Sequence, residues 1–470
     1  MSSQIQNLSA DLAIALEPQL GTLSISGLRR LSGGASRETW SFDATQADGS
    51  VRELVLRRDP PTRPGWPGTM GTEARCLRAS AQAGLAVPQV VLDTDSPDLF
   101  GSAGIVMERI EGETIARRIL RDEKFQDARS HLGRDCGTFL AGLHAIDPQE
   151  VAPLHKADPL DQIRLTLNTL DMPSPTFEFA IRWLEQHRPE GSGTAIVHGD
   201  FRLGNFIIGE DGLRAVLDWE LVHLGDPIED LGWLCVKAWR FGAADPVGGF
   251  GTRHNLIDAY QAAGGARVSL ADLHWWEVFG TLRWGAICMT QTHAHLSGLL
   301  RSVELAAIGR RVCETEWDLL LLLQPEAASQ ALDQAAGQLE QIEPSETRVM
   351  EDGLRGRPTA EELLQAVREF LTEQVMPATE GSVSFHARVA SNVIAMVERE
   401  LVLGSQQDQE RLDEFRSLGV GTEREFASAI RDGKFEESPD SLVSTLAQGV
   451  LSSLIVARPT YLDSPITARH

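Results

Sequence analysis

The spacing of apolar positions along the first hundred residues changes several times. Leu12, Ile14, Leu16 and Leu20 predict an opening helix that stops near Gly21. Short apolar–polar alternations then predict strands at Ile25–Leu28, Glu38–Ala44 and Val51–Arg57, with Asp48-Gly49 as the turn between the last two. Glu73, Leu77 and Ala81, four residues apart, predict a helix over Met70–Ala83. Pro88 interrupts it, and strands are expected at Val90–Leu92 and Gly104–Glu108.

From Thr114 the period is helical. Leu132, Cys136, Phe139, Leu140 and Leu143 form one stripe of a core-facing helix, and Phe177–His187 is helical after a loop at Pro173–Pro175. Between Thr194 and Glu220 the period returns to two, at Ile196-Val197, Phe206–Ile208 and Leu213–Leu217, with Asp211-Gly212 as a hairpin turn. Asp226-Pro227-Ile228-Glu229 reads as a helix start capped by Asp226, and helices extend from there to about Leu339.

The polar, aperiodic stretch Gln341–Arg357, with Pro344, Gly353 and Gly356, reads as a domain boundary. Beyond it Leu363, Leu364, Val367, Leu371 and Val375 share one face of a helix that Pro377 stops. Further helices are expected at Phe385–Leu403, Gln409–Leu418, Glu423–Ile430 and Ser441–Ala457. The expected organisation is an α+β chain. Residues 1–106 form a β-rich lobe, 107–342 a helical lobe, 343–357 a linker and 358–470 an all-helical accessory domain that packs by itself.

Composition narrows the function classes. The chain has 470 residues, 42% of them hydrophobic and 23% charged, a soluble globular profile. Basic residues number 43 against 67 acidic ones, for a net charge of -24, and only Lys124, Lys156, Lys237 and Lys434 are lysines. Such a chain repels a polyanionic backbone, so nucleic acid is not an expected partner. Five scattered cysteines lack metal-ligand spacing and the density of a disulfide scaffold. The residues Met1 to Leu20 carry Asp11 and Glu17 and no basic residue, unlike a signal peptide, and no run approaches a membrane-spanning length. The expectation is a cytoplasmic protein with reduced thiols and no membrane insertion.

The chemistry concentrates in His198-Gly199-Asp200-Phe201-Arg202-Leu203-Gly204-Asn205 and in Asp218-Trp219-Glu220. A carboxylate, a carboxamide five residues on, and a hairpin returning to a second carboxylate make a phosphoryl-transfer layout. The first carboxylate accepts the proton of an attacking hydroxyl, while the amide oxygen and the second carboxylate hold Mg²⁺ against nucleotide phosphates. On this reading Asp200 is the base, and Asn205 and Asp218 are the metal ligands. His198, with a reference pKa near neutrality, is either a second candidate base or a brace for the loop.

Ile196–Gly232 resembles the catalytic segment of the aminoglycoside phosphotransferase superfamily, a branch of the protein-kinase-like fold. Arg57-Arg58, the words above and Gly225-Asp226-Pro227…Asp230-Leu231-Gly232 are together similar to the phosphotransferase domains associated with acyl-CoA dehydrogenases. The resemblance covers roughly residues 20–340 and implies ATP- and Mg²⁺-dependent phosphorylation of a small-molecule hydroxyl, with acyl-CoA metabolic enzymes as partners. The C-terminal segment resembles a small uncharacterised bacterial helical domain.

The resemblance gives meaning to weaker words. Gly33, Gly34 and Ser36 lie between two strands, where glycines admit phosphate oxygens and Ser36 donates a hydrogen bond. Arg57 stands where protein kinases place a lysine, with Glu73 as its partner and Arg58 as the alternative if the strand register slips by one. Met107 and Glu108 would meet the adenine edge, or Met107 simply fills the core. Trp276 and Trp284 read as core residues or as acceptor-pocket wall. Asp-Trp-Glu in place of Asp-Phe-Gly weakens a protein-kinase reading. An antibiotic or other metabolite kinase, and a non-catalytic nucleotide-binding pseudokinase, are the competing functions.

Overall fold

The computed structural model describes residues 2–31, 37–60, 70–339, 358–436 and 439–462. Two compact units divide the chain: residues 1–157 with 189–277, and residues 158–188 with 278–469.

The first unit opens with the helix Ser2–Leu20 and five strands: β1 (Leu23–Arg30), β2 (Glu38–Gln46), β3 (Val51–Arg58), β4 (Val90–Thr94) and β5 (Gly104–Glu108). They form one antiparallel sheet in the order β1-β2-β3-β5-β4. Alternation decides its faces. Trp40, Phe42, Ala44, Leu54 and Leu56 point to one side and bury Leu8, Leu12, Ala15 and Leu16 of the opening helix. Ile105 and Met107 join a smaller cluster with Met70 and Ala74 of the helix Met70–Gln82. The same alternation sends Arg57 and Arg58 to opposite faces, which settles what each can touch.

Two short ladders follow. β6 (Ala195–Val197) pairs with β9 (His223–Gly225), and β7 (Phe206–Gly209) pairs with β8 (Gly212–Val216). The loop from β6 to β7 carries Asp200, and the loop from β8 to β9 carries Asp218. Phe201, Phe206 and Trp219 are fully buried beneath them. The helix Ile228–Cys235 has Pro227, not the expected Asp226, at its N-cap; Asp226 Oδ1 accepts from the Ile228 amide at 2.9 Å just ahead of it.

The second unit is helical. Its core brings Cys313, Trp317, Leu320, Ala328 and Ala331 together with Phe415, Phe426, Leu446, Leu454 and Ile455. The division of the chain therefore differs from the expected one. The segment from 358 onward shares one core with helices before it, and residues 158–188 join the same unit. The expected linker, 343–357, lies outside the described residues. Phe385–Leu403 and Gln409–Leu418, expected as separate helices, belong to one helix, Gly381–Ser417. Pro377 does not stop its helix directly: a single π turn, Leu371–Val375, precedes the short helix Met376–Ala378. The apolar face of Ala360–Phe370 is also not buried, with Leu363, Val367 and Phe370 each about half exposed. Periodicity identifies such a face but not its cover. The helix Pro439–Ala457 is long and apolar enough to cross a membrane, yet 61% of its apolar window is buried in this unit's core.

Candidate active site

Every described residue of the catalytic words lies in the first unit. Gly199 makes the loop after β6 passable: its φ is +79°, and a Cβ there would lie 2.5 Å from the Leu221 carbonyl oxygen. The loop hangs from Asp230, whose Oδ2 accepts from the His198 amide at 2.8 Å and whose Oδ1 accepts from the Gly199 amide at 2.9 Å. Asp230 is completely buried. Burial pushes its pKa up, but the hydrogen bond and charge of His144 outweigh that and hold it below the ordinary carboxylate value. His144 lies 3.3 Å from Asp230 and 2.9 Å from the Tyr260 hydroxyl, completing a buried support behind the loop.

His198 is also completely buried. Its Nδ1 accepts from the Asp200 amide at 3.2 Å, which leaves Nε2 to donate to the Leu217 carbonyl at 3.1 Å. Burial lowers its pKa against the pull of Asp230, Asp200 and Asp218. Both ring nitrogens thus hold backbone. This is the geometry of the brace, and it corrects the candidacy of His198 as a base.

Asp200 is held by three donors. Arg202 Nε and Trp233 Nε1 both donate to Oδ1 at 2.9 Å, and Asn205 Nδ2 donates to Oδ2 at 2.6 Å. A carboxylate oxygen has two acceptor sites, so Oδ1 is filled and Oδ2 retains one. Arg202 is itself fixed, with its guanidinium 4.5 Å above the Trp239 ring. Gly204 makes room for it, since a Cβ there would lie 2.1 Å from Arg202 Nη1. Sequence reasoning missed Arg202 and Trp233 as partners of Asp200. Arg202 stood within the quoted motif, two residues from the base, whereas Trp233 carried no local signal.

The second half of the site is an ion cluster. Arg57 Nη1 lies 3.2 Å from Glu73, Nη2 donates to Asp218, and Glu220 is 3.5 Å away. Arg37 pairs with Glu73 as well, lies 3.0 Å from Asp59 and approaches Glu220 at 4.0 Å. Arg58 instead faces Glu38 at 2.9 Å and the Phe100 carbonyl, so Arg57 is the residue in this cluster. Burial opposes the charge of Arg57, but Asp218, Glu73 and Glu220 raise its pKa above the ordinary value. Asp218 is shifted the other way: burial pushes it up and Arg57 brings it below normal. Asp218 also has a left-handed backbone, φ 66°, rare for a residue with a Cβ. The bond from the Leu217 amide to the Asn205 carbonyl, at 2.8 Å, ties the chain there to the base loop.

The cluster has two guanidinium groups against four carboxylates: Arg37 and Arg57 against Asp59, Glu73, Asp218 and Glu220. That balance repels a polyphosphate unless a cation intervenes. Asp218 Oδ2 makes no hydrogen bond among the described residues, and Asn205 donates through its nitrogen, leaving its oxygen for a ligand. Two hard oxygens with room for water and phosphate suit Mg²⁺. No group of three or more His, Cys, Asp or Glu side chains among the described residues forms a metal site by itself. Gly33, Gly34 and Ser36 lie outside the described residues. Met107 is 8% exposed in the core cluster, so core filling is its observed role. Glu108 pairs with Arg52 at 2.7 Å, and its amide donates to Gln89, so that N–H is engaged within the protein. Trp276 is buried and lies against Gly232.

Comparison with known proteins identifies the family. A family profile described as "Phosphotransferase enzyme family" matches residues 27–276, and a domain of unknown function (DUF6285) matches residues 377–461. Acyl-CoA dehydrogenase family member 10 of Mus musculus is 29% identical over 247 residues, 49% of this chain and 22% of that protein. Acyl-CoA dehydrogenase family member 11 of Rattus norvegicus is 23% identical over 369 residues, 71% of this chain and 44% of that protein. The chain thus matches less than half the length of either relative. A solved structure from Ralstonia eutropha, described only provisionally as an aminoglycoside phosphotransferase, aligns with a TM-score of 0.52 at 21% identity, over 65% of this chain and 95% of that one. The fold is protein-kinase-like, α+β, with a β-sheet region followed by helices.

Proposed function

The chain belongs to the phosphotransferase enzyme family, and on that premise we propose that it is an ATP- and Mg²⁺-dependent kinase of a small-molecule alcohol. The observation that carries the reading is the Asp200 carboxylate, oriented by Arg202, Trp233 and Asn205 with one acceptor site left on Oδ2. In the proposed reaction Oδ2 takes the proton of the acceptor hydroxyl while the hydroxyl oxygen bonds to the terminal phosphorus and ADP departs. Arg57, held by Glu73, would be the cation nearest the phosphate oxygens. Asn205 and Asp218 would hold Mg²⁺, which would supply charge neutralisation at the phosphates.

The acceptor we propose is a hydroxylated acyl-CoA. Support comes from the names of the curated relatives, both acyl-CoA dehydrogenase family members. Phosphorylation would turn a poor leaving group into a good one. The proposed setting is the cytoplasm, in keeping with five free, buried cysteines. The test is nucleotide consumption with Mg²⁺ across hydroxyacyl-CoAs, sugars, amino alcohols and aminoglycosides, with product mass measured. Folded protein that binds no Mg²⁺–ATP by calorimetry would sink the kinase reading. Higher specificity constants for aminoglycosides than for every hydroxyacyl-CoA would sink the acceptor alone.

A further inference from the structure

Asp230 is a completely buried carboxylate that faces two backbone amides and one imidazole, and among the described residues it makes no ion pair with an arginine or lysine. The polarity of the groups behind it follows from counting donors. A carboxylate only accepts, so His144 presents a proton on Nε2, 3.3 Å from Asp230 Oδ2. The other ring nitrogen, Nδ1, lies 2.9 Å from the Tyr260 hydroxyl. Tyr260, on the helix Arg253–Ala262, is fully buried, and Gly265 seals the tip of its ring, since a Cβ there would lie 2.5 Å from Cζ. Burial pushes the Tyr260 pKa up to about 12 against the pull of the Ala266 amide, so the hydroxyl keeps its proton.

That proton has one acceptor among the described residues, His144 Nδ1. A second proton on the ring would add charge facing Asp230, but it would strand the Tyr260 O–H in a place closed to the water a cation needs. The spacing is also built in. The helix Gln126–His144 approaches the helix Arg253–Ala262 over Gly137, where a Cβ would lie 2.7 Å from the Leu256 carbonyl oxygen and 2.9 Å from the Tyr260 nitrogen. Any larger residue at 137 would push the hydroxyl away from the imidazole.

We propose that Tyr260 is a positioning residue for Asp200: its O–H holds His144 as the neutral Nε2–H tautomer, and that tautomer completes the set of three N–H groups that fixes Asp230. The tautomer matters because the two ring nitrogens are distinct, and the bond made by one decides the proton on the other. With the proton on Nδ1 instead, a nitrogen lone pair would face the Asp230 carboxylate and repel it. Asp230 in turn holds the His198 and Gly199 amides at 2.8 and 2.9 Å, and Gly199 immediately precedes Asp200. The path from the Tyr260 hydroxyl to the base loop therefore passes through two side chains, His144 and Asp230. Phenylalanine at 260 fills the same space and lacks only the proton that sets the tautomer.

Long-range ¹H–¹⁵N spectra of the full chain labelled with ¹⁵N-histidine read the tautomer directly. Wild type should show a neutral imidazole with its proton on Nε2, a signal missing from His144→Gln and no longer a single form in Tyr260→Phe. Deuterium uptake of the peptide carrying His198 and Gly199 should rise roughly fivefold or more in Tyr260→Phe, the worth of one net hydrogen bond, while the Phe206–Val216 hairpin keeps its wild-type rate. ADP formation from Mg²⁺–ATP with water as acceptor, the arm that rests on the kinase reading, should fall about 10–100-fold in Tyr260→Phe with Mg²⁺–ATP affinity unchanged, the scale of a misplaced catalytic group. His144→Gln retains an N–H for Asp230 and an oxygen for Tyr260, and should keep most of the rate that His144→Leu loses. A doubly protonated or Nδ1–H His144 in wild type would overturn the proposal, whether or not Tyr260→Phe folds. So would an unchanged His144 signal in Tyr260→Phe, uptake raised equally in both peptides, or turnover that falls only in step with Mg²⁺–ATP affinity. Folded wild-type protein that binds no Mg²⁺–ATP is a failure of the kinase reading instead, and the spectra and exchange still decide the path from Tyr260 to the loop.

Discussion

Two regions of this protein bury charge, and they solve the same problem in opposite ways. In the first unit, Arg37 and Arg57 share Glu73 and reach Asp59, Asp218 and Glu220, so each buried ion has an opposite charge close by. In the second, part-buried Glu316 accepts from the neutral Ser174 hydroxyl and feels Arg411 only weakly, so burial and Glu423 raise its pKa to about 7. The first arrangement keeps fixed charges ready for a charged substrate. The second makes the charge itself conditional on pH. Burial alone does not say whether a carboxylate is ionised; the neighbours decide.

The largest effect expected in the first region is chemical. Asp200→Asn removes the proton acceptor and turns one of three matched hydrogen bonds into a donor–donor clash, so turnover should fall about 10²–10⁴-fold. Nucleotide affinity, measured separately by calorimetry, should stay near wild type. A fully active variant would remove Asp200 from the mechanism.

Arg57→Met tests the cluster as a cluster. It leaves Asp218 and Glu220 with Arg202 and Arg37 as the nearest remaining cations, and should lower the stability of the first unit by about 3–5 kcal/mol, as removal of one buried ion partner does. Mg²⁺ should restore part of that loss by replacing the missing charge, which a melting series over Mg²⁺ concentration would read. No rescue by Mg²⁺ would argue that the carboxylates do not share a cation site.

Gly232→Ala tests packing directly behind the site, between Asp230, which holds the base loop, and Trp233, which donates to Asp200. The added methyl would lie 2.4 Å from Trp276 Cβ and 2.6 Å from its backbone carbon, neither of which can swing aside. About 1–3 kcal/mol of destabilisation is expected in denaturant melts, with a further fall in kcat of the folded protein because Trp233 shifts with the helix.

The smallest effects sharpen the comparison through pH. The folded-state pKa of His198 lies below its unfolded value of 6.5, so its contribution is present above 6.5 and is lost as pH falls through the folded value. The Glu316 pKa is raised from 4.5 to about 7, so its contribution is present below 4.5 and is lost as pH rises to about 7. Hydrogen exchange on peptides from each unit should therefore drift in opposite directions between mild acid and mild base. Glu316→Gln should remove the second drift and stabilise the protein at pH 8 by on the order of 1–2 kcal/mol, allowing for the partial exposure of the side chain.

Legibility in the sequence followed distance along the chain. Asp200, Asn205 and Asp218 could be placed because a loop and one hairpin hold them, and both are short-range structures. Arg57 and Glu73 were legible as a pair because the Val51–Arg58 strand alternates and Glu73 opens the next helix. Arg37 was missed because its partners Asp59, Glu73 and Glu220 meet only in three dimensions. Gly404-Ser405 and the polar run after it masked the continuity of Gly381–Ser417, since helix-weak residues do not end a helix held by neighbours. The core shared by Trp317 and Phe426 was invisible for a further reason: a stripe of apolar residues records that a face is covered, not by which segment.

That shared core has a consequence for how the protein is made. The helix Pro175–Gln186 is tied to the helix Glu423–Arg431 through Glu178 with Arg431 and through Arg182, which donates to the Arg431 carbonyl at 2.9 Å. On a ribosome adding roughly 5–20 residues per second, the earlier helix emerges roughly 10–50 s before its partner. During that wait the chain completes residues 189–277, all that the first unit lacks. The phosphotransferase unit can therefore fold while synthesis continues, and Phe179, which packs against the core that Phe426 and Leu446 complete, lacks part of its cover until those later segments arrive. That interval is when a chaperone has most to protect.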